Sequence, residues 1–296
     1  MALLNTASTR PSLIVMILSY LAQRRGKKDN ESRLVDALAP PGLSREGEHQ
    51  SDIRDSLRAA IDLRLVLKDG EDLELAEMVI EPVRKGKKAV VGLLRTAVLD
   101  PDSNAGEWGS QAGARDLTNA LAWYLTFPAE SSPIQMEGAE RSAMDLQSAD
   151  FGPRQRDGGG WPIGNDNRWQ AFRYWACSLG FAWVSPKGHI LPDPTPAIRA
   201  ALPALIGKTS ELGAGEFIDK LAGVIPVLDY GRYREFVAAN WKREEPVQRR
   251  LTAPLSEALE RLREDGRLVF DDRADAARVV RADGTTFSHI RVGVKR

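Results

Sequence analysis

Apolar positions along this chain fall into one composite pattern that appears three times: a helix-spaced stretch, a short break, an apolar strand, a turn and a second strand. In the first copy Ile53, Leu57 and Ile61 recur at four-residue spacing and share one helical face. They lead into Leu63-Arg64-Leu65-Val66-Leu67, the turn Lys68-Asp69-Gly70-Glu71, and Asp72-Leu73-Glu74-Leu75. Asp-Gly between two apolar runs is a strong hairpin signal, because a tight turn needs the positive φ that Gly adopts freely. The second copy sets Trp169, Phe172 and Cys177 before Gly180, then Phe181-Ala182-Trp183-Val184, the turn Ser185-Pro186-Lys187-Gly188, and His189-Ile190-Leu191. The third has Leu255, Leu259 and Leu262, a break at Asp265-Gly266, Arg267-Leu268-Val269-Phe270, a longer polar connection, and Phe287-Ser288-His289-Ile290-Arg291-Val292.

Upstream of the first copy the periodicity predicts two more helices. Ser12 is placed to cap one that carries Leu13, Ile14, Ile17, Leu18 and Leu21 inward and stops in Arg24-Arg25-Gly26-Lys27-Lys28. The other runs from Asn30 to Leu38 and ends at Pro40-Pro41-Gly42. Three helices followed by a hairpin is the order of a winged helix, a variant of the helix-turn-helix. The expected class is therefore mainly α with small β-hairpins, an α+β fold of tandem winged-helix units. The expected division is a winged-helix domain over 1–80, a linker with one short element over 81–112, a second winged-helix-like domain over 113–193 with a Gly-rich surface loop at Arg154 to Gly160, and a C-terminal helical, winged-helix-like domain over 194–296.

Composition bounds the function. A chain of 296 residues, 43% hydrophobic and 28% charged, suits two or three modest cores. Its 41 basic and 41 acidic side chains cancel, so any nucleic-acid contact must rest on local patches rather than on a global field. One cysteine, Cys177, excludes an internal disulfide framework and fits a reducing compartment. The apolar run Leu13 to Leu18 is far short of a ~20-residue membrane span and lacks the flanks of a secretory signal. A cytoplasmic protein without membrane association is expected.

Catalytic patterns are missing. No phosphate-binding Gly-x-x-x-x-Gly-Lys-Ser/Thr, Gly-x-Gly-x-x-Gly or His-Glu-x-x-His occurs, and Ser110 to Gly113 has no base beside it in sequence. His49, His189 and His289 lie in different copies of the pattern, and Cys177 sits among aromatic neighbours as a packed thiol. No enzyme activity, cofactor or metal is expected. Among the dense aromatic residues, Phe172, Trp175 and Phe181 read as core, whereas Trp161 follows a glycine run and is the candidate partner-binding anchor.

A winged helix directs attention to duplex DNA, since its third helix fits the major groove. Yet the segment Arg45 to Arg64 holds Arg45, Arg54, Arg58 and Arg64 against Glu46, Glu48, Asp52, Asp55 and Asp62, four minus five, or a net charge of minus one. By charge it is a poor DNA reader on its own. The candidate DNA-binding residues lie instead in Arg24, Arg25, Lys27 and Lys28, in Arg84, Lys85, Lys87 and Lys88, and in Arg154 and Arg156, with a further basic stretch at Lys242 to Arg250.

The opening Leu3-Leu4-Asn5-Thr6 with Arg10-Pro11-Ser12-Leu13, the stretch Gly164-Asn165-Asp166-Asn167-Arg168-Trp169 with Leu179-Gly180-Phe181, and the ending Phe287-Ser288-His289-Ile290 resemble the DpdG proteins. These are accessory components of bacterial clusters that place 7-deazapurines in DNA and restrict unmodified DNA. The resemblance implies a bacterial, cytoplasmic, non-enzymatic member of a DNA modification or anti-phage assembly. Its motifs are packing and turn signatures, so it carries over no functional residue. Two expectations stand side by side: a subunit that touches duplex DNA through basic segments, and an adaptor whose winged helices dock other subunits of the complex.

Overall fold

The structure, a computed structural model, describes residues 2–40, 42, 48–108, 113–154, 160–207, 211–243 and 250–293. In chain order its elements are α1 (Pro11–Ala22), a 3-10 turn (Arg25–Lys27), β1 (Lys28–Asn30), α2 (Glu31–Leu38), α3 (Glu48–Asp62), β2 (Val66–Asp69), β3 (Asp72–Leu75), α4 (Glu77–Lys85) and α5 (Lys87–Leu99). A second 3-10 turn (Asp102–Asn104) precedes α6 (Arg115–Tyr124), α7 (Ala143–Phe151), α8 (Asp166–Ser178), β4 (Ala182–Val184), β5 (Ile190–Pro192) and α9 (Thr195–Ile206). The remainder is β6 (Glu211–Gly213), α10 (Ala214–Val224), α11 (Arg232–Ala238), α12 (Ala253–Glu264), β7 (Leu268–Asp271), β8 (Val279–Val280), β9 (Thr286–Phe287) and β10 (His289–Val292). Among the described residues no helix is long and apolar enough to cross a membrane.

Two compact units emerge, residues 1–117 with 165–179 and residues 118–164 with 180–296. The expected consecutive ranges 1–80, 81–112, 113–193 and 194–296 differ from these, because the middle copy of the pattern is divided between the units. Its helix α8 belongs to the first and its hairpin β4–β5 to the second. Polar bonds tie α8 and its end to the first unit: Arg168 Nη2 donates to buried Asp116 Oδ2 at 2.9 Å, and the part-buried Arg95 Nε to the Leu179 carbonyl at 2.8 Å.

In the first unit, Ile14, Ile17, Leu18 and Leu21 of α1 meet Ile53, Leu57, Ala59 and Ala60 of α3, and each is nearly or fully buried. Pro11 opens α1 with Arg10 as the N-cap, so Ser12 lies inside the helix and does not cap it. Proline fits that first position because its φ is already helical and the N–H it lacks would have no partner there. Asn30 caps α2, its side chain accepting from Ser32 N at 2.9 Å. The Asp-Gly turn forms as expected: Asp69 pairs with Asp72, and Gly70 has φ 56°. The short strand β1 is an addition to the sequence pattern, pairing antiparallel with β3 to give the sheet order β1-β3-β2.

Residues 81–108, expected as part of a linker with one short element, are largely helical, and 109–112 lie outside the described residues. Residues 81–108 include the end of α4, all of α5 and a 3-10 turn, with Val90, Leu94, Ala97 and Val98 buried. Pro82 and Gly86 punctuate the apolar spacing and disguise it in sequence; Gly86, at φ 95°, makes the corner between the two helices.

In the second unit, Gln147 of α7 clasps the backbone of Ile163, donating from Nε2 to its carbonyl at 2.9 Å and accepting its N–H at 2.7 Å. Leu255, Ala258, Leu259 and Leu262 of α12 are buried. Strand β10 pairs antiparallel with both β6 and β7, giving the order β6-β10-β7, and the long connection between β7 and β10 contains the hairpin β8–β9. The succession helix, strand, helix, helix, hairpin, with the first strand beside the third, thus occurs in each unit: α1-β1-α2-α3-β2-β3 in one and α9-β6-α10-α12-β7-β10, with α11 interposed, in the other.

Candidate nucleic-acid interface

The basic segments differ in how much of their charge the fold already uses. At the end of α1, Arg24 stacks over Tyr20 with 4.0 Å to the ring centroid and lies 3.4 Å from Asp29, while Lys28 Nζ is 2.8 Å from Glu74. Burial opposes the charged form of Asp29, but hydrogen bonds from Tyr20 Oη and Asn30 N–H, with the charges of Arg24 and Arg33, hold its carboxyl below the ordinary range. Arg25 is exposed and Lys27 half-buried. Half of this cluster therefore supports the β1 corner rather than standing open.

The α4–α5 corner is different. Arg84 and Lys85 end α4, and Lys87 and Lys88 begin α5, all four exposed around Gly86. Glu81 lies 4.0 Å from Arg84 and 3.4 Å from Lys85, both through solvent-exposed side chains, and such pairs neutralise little. The first turn of α5 contains no acidic residue. Cations there oppose the positive end of the helix dipole, which ordinarily favours Asp or Glu at these positions. Four cations on a two-helix corner, two of them against the local electrostatic preference, form a surface suited to phosphate oxygens.

Arg154 is exposed, and Arg156 lies outside the described residues. Of the stretch Lys242 to Arg250, residues 244–249 also lie outside them. Arg243 is engaged inside the second unit, 3.0 Å from Asp150 and stacked over Trp241 at 4.1 Å and Phe127 at 4.8 Å. Arg250 donates to the Ala282 carbonyl at 2.6 Å.

Trp161 is not displayed on a surface loop. It is 9% exposed, and its indole N–H donates to the Gly152 carbonyl at 2.9 Å. Two residues on, Gln147 clasps the backbone of Ile163. Phe172, Trp175 and Phe181 are fully buried, as their spacing indicates. The well-exposed tryptophan is Trp183, at 44%, on β4 beside Val184 at 48%. Strand alternation concealed it, since the hairpin β4–β5 has only two strands and leaves both neighbours open.

Burial raises the Cys177 thiol above its ordinary pKa against the opposing charge of Arg173, so the site favours thiol over thiolate. His289 Nδ1 lies 3.0 Å from Ser288 Oγ, and that hydroxyl also accepts from Arg273 N–H at 2.8 Å, giving it a place in the hydrogen bonding of the β10 strand. His49 is exposed on α3, and His189 is half-buried beside the β4–β5 turn, where Lys187 and Gly188 are open to solvent.

No curated protein and no solved structure matches this chain. A family model described as DpdG-like matches residues 1–276, nearly the whole sequence. The chain belongs to the DpdG-like family.

Proposed function

We propose that the protein is a non-enzymatic, DNA-contacting accessory subunit of a bacterial DNA modification and restriction, or anti-phage defence, complex, working in the cytoplasm with other subunits of that complex. In this reading the two helix-strand-helix-helix-hairpin arrangements are winged helices, supported by their matching sheet orders β1-β3-β2 and β6-β10-β7. The observation that carries DNA contact is the α4–α5 corner, where Arg84, Lys85, Lys87 and Lys88 are exposed with Glu81 the acidic group paired to two of them. Contacts of this kind go to phosphates and are indifferent to sequence. Fluorescence anisotropy with labelled duplex tests it: charge reversal at those four positions should weaken binding to every duplex, whereas unchanged affinity would remove the corner from the interface.

The adaptor reading has its own support in Trp183, a large apolar side chain 44% exposed on the hairpin β4–β5. Aromatic anchors dominate protein interfaces. Under it, Trp183→Ala should abolish recovery of partner subunits from the native host while duplex affinity stays at the wild-type value. Full recovery with the variant would exclude the hairpin as the docking point.

A further inference from the structure

The charge count of the third helix hides how its charges are arranged. Asp52 and Asp55 of α3 turn toward the N-terminal segment: Arg10 Nη2 is 3.5 Å from Asp52, Ser8 Oγ donates to Asp55 at 2.6 Å, and Arg10 N–H donates to Ser56 Oγ at 3.2 Å. Both carboxylates are half-buried. The outward line of the same helix is Ser51, Arg54 and Arg58, all exposed, with exposed Asp62 closing it at the C-terminal end. Arg58 lies 3.4 Å from Asp55 through a well-exposed side chain, and Asp55 already has the Ser8 hydroxyl, so the guanidinium is able to leave. From Ser51 to Arg58 the helix rises about 10 Å at ~1.5 Å per residue, or roughly three base-pair steps of duplex at about 3.4 Å each.

The corresponding helix of the second unit is closed. The connection after β7 folds over the outer side of α12, where Ala282 N–H donates to Ser256 Oγ at 2.9 Å and Arg281 Nη1 to Glu260 Oε2 at 2.6 Å. Glu257, Glu260 and Glu264 line the groove that remains, together with Arg261, Arg281 and Asp283. An acidic, roofed helix repels a phosphate backbone and cannot enter a groove of DNA. The hairpin tip of the first unit is also acidic, with exposed Asp69, Glu71 and Asp72, while Lys68 is paired with Glu31.

We infer that α3 is the element of this chain that reads duplex DNA, with Arg54 and Arg58 placed on base edges in the major groove while the α4–α5 corner supplies sequence-independent phosphate affinity. This inference rests on the DNA-contacting reading above. Arginine is the residue suited to the task, because its planar fork makes a bidentate pair with guanine O6 and N7. A point charge does not replace it.

The test is selection of the intact protein against a duplex library with a randomised core, followed by sequencing of the bound fraction. Wild type should enrich guanine-containing sites. Arg54→Gln with Arg58→Gln should abolish the enrichment and bind the selected site at least about tenfold more weakly, the loss expected for one good base contact. Arg54→Lys with Arg58→Lys should retain binding to unselected duplex and still lose the enrichment. Both variants should melt as wild type does, since the two side chains are exposed. Enrichment that survives either double variant overturns the assignment, as does wild-type binding without enrichment. Wild type that binds no duplex at any salt would remove the DNA-contacting reading itself, a result distinguishable from failure of α3 alone.

Discussion

Asp116 shows what a single buried carboxylate does here. It is nearly inaccessible, and it accepts from Arg168 Nη2 and Leu4 N–H, both at 2.9 Å, and from Leu117 N–H at 2.8 Å. Burial pushes its pKa up, while Arg168 and those N–H donors work in the other direction. Removing one member of such a pair leaves a buried charge without compensation, so Asp116→Ala should cost about 3 to 5 kcal/mol. Chemical denaturation measures it, and a loss within the ~0.5 kcal/mol typical of surface sites would mean that the pair is solvated. Trp161→Ala should likewise lower stability by about 3 to 5 kcal/mol as a buried aromatic. A wild-type melting curve for that variant would return the indole to the surface. These residues were hard to place from sequence because each has a polar partner elsewhere in the chain: the Asp116 and Arg168 partnership spans distant segments, and the Trp161 indole donates to the Gly152 carbonyl.

At the scale of elements, the apolar periodicity was a good guide wherever a helix face or a hairpin buries itself by short-range spacing. The inward line of α3, the Asp69-Gly70 turn and the α12 face all follow it. Leu57→Ala should accordingly cost about 2 to 5 kcal/mol, read by the same denaturation experiment, and a negligible change would mean the face is misassigned. Strand β1 left no such trace. Lys28-Asp29-Asn30 has no apolar alternation, and its extended form comes from pairing with Glu74, Leu73 and Asp72 across the sheet. The α4–α5 corner was legible as charge but not as structure, since Pro82 and Gly86 interrupt the helical spacing that Val90, Leu94 and Val98 maintain. For α3 the segment Arg45 to Arg64 sums to minus one, and such a sum does not say which side each charge faces: Asp52 and Asp55 are half-buried while Arg54 and Arg58 are exposed. The acidic β2–β3 tip follows the same electrostatic logic: Asp69→Lys with Glu71→Lys should tighten duplex binding, because each new cation near the backbone adds a phosphate contact. Unchanged affinity would place the tip away from DNA.

For the whole molecule, zero formal net charge means that no long-range field draws DNA to this chain. In the proposed DNA-contacting role, attraction is confined to clusters, and its range is limited by a Debye length of about 8 Å at physiological salt. Salt dependence therefore reports how many phosphates those clusters neutralise. Each phosphate neutralised contributes a slope of about −0.9 in log K against log salt, so the four cations of the α4–α5 corner predict a contribution of about −3.6. Over a fourfold rise in salt that is a fall of roughly a hundredfold or somewhat more in affinity. Binding isotherms for wild type and for the protein reversed at Arg84, Lys85, Lys87 and Lys88, each across that salt range, separate the corner from the remaining clusters. The slope should fall by about one for every phosphate the variant no longer neutralises. Arg24, Arg25, Lys27 and Lys28 should give a smaller change when reversed, because Arg24 and Lys28 are already paired with Asp29 and Glu74. An equal or larger change there would mean that those ion pairs open on binding, and that the phosphate-binding surface centres on the β1 corner instead.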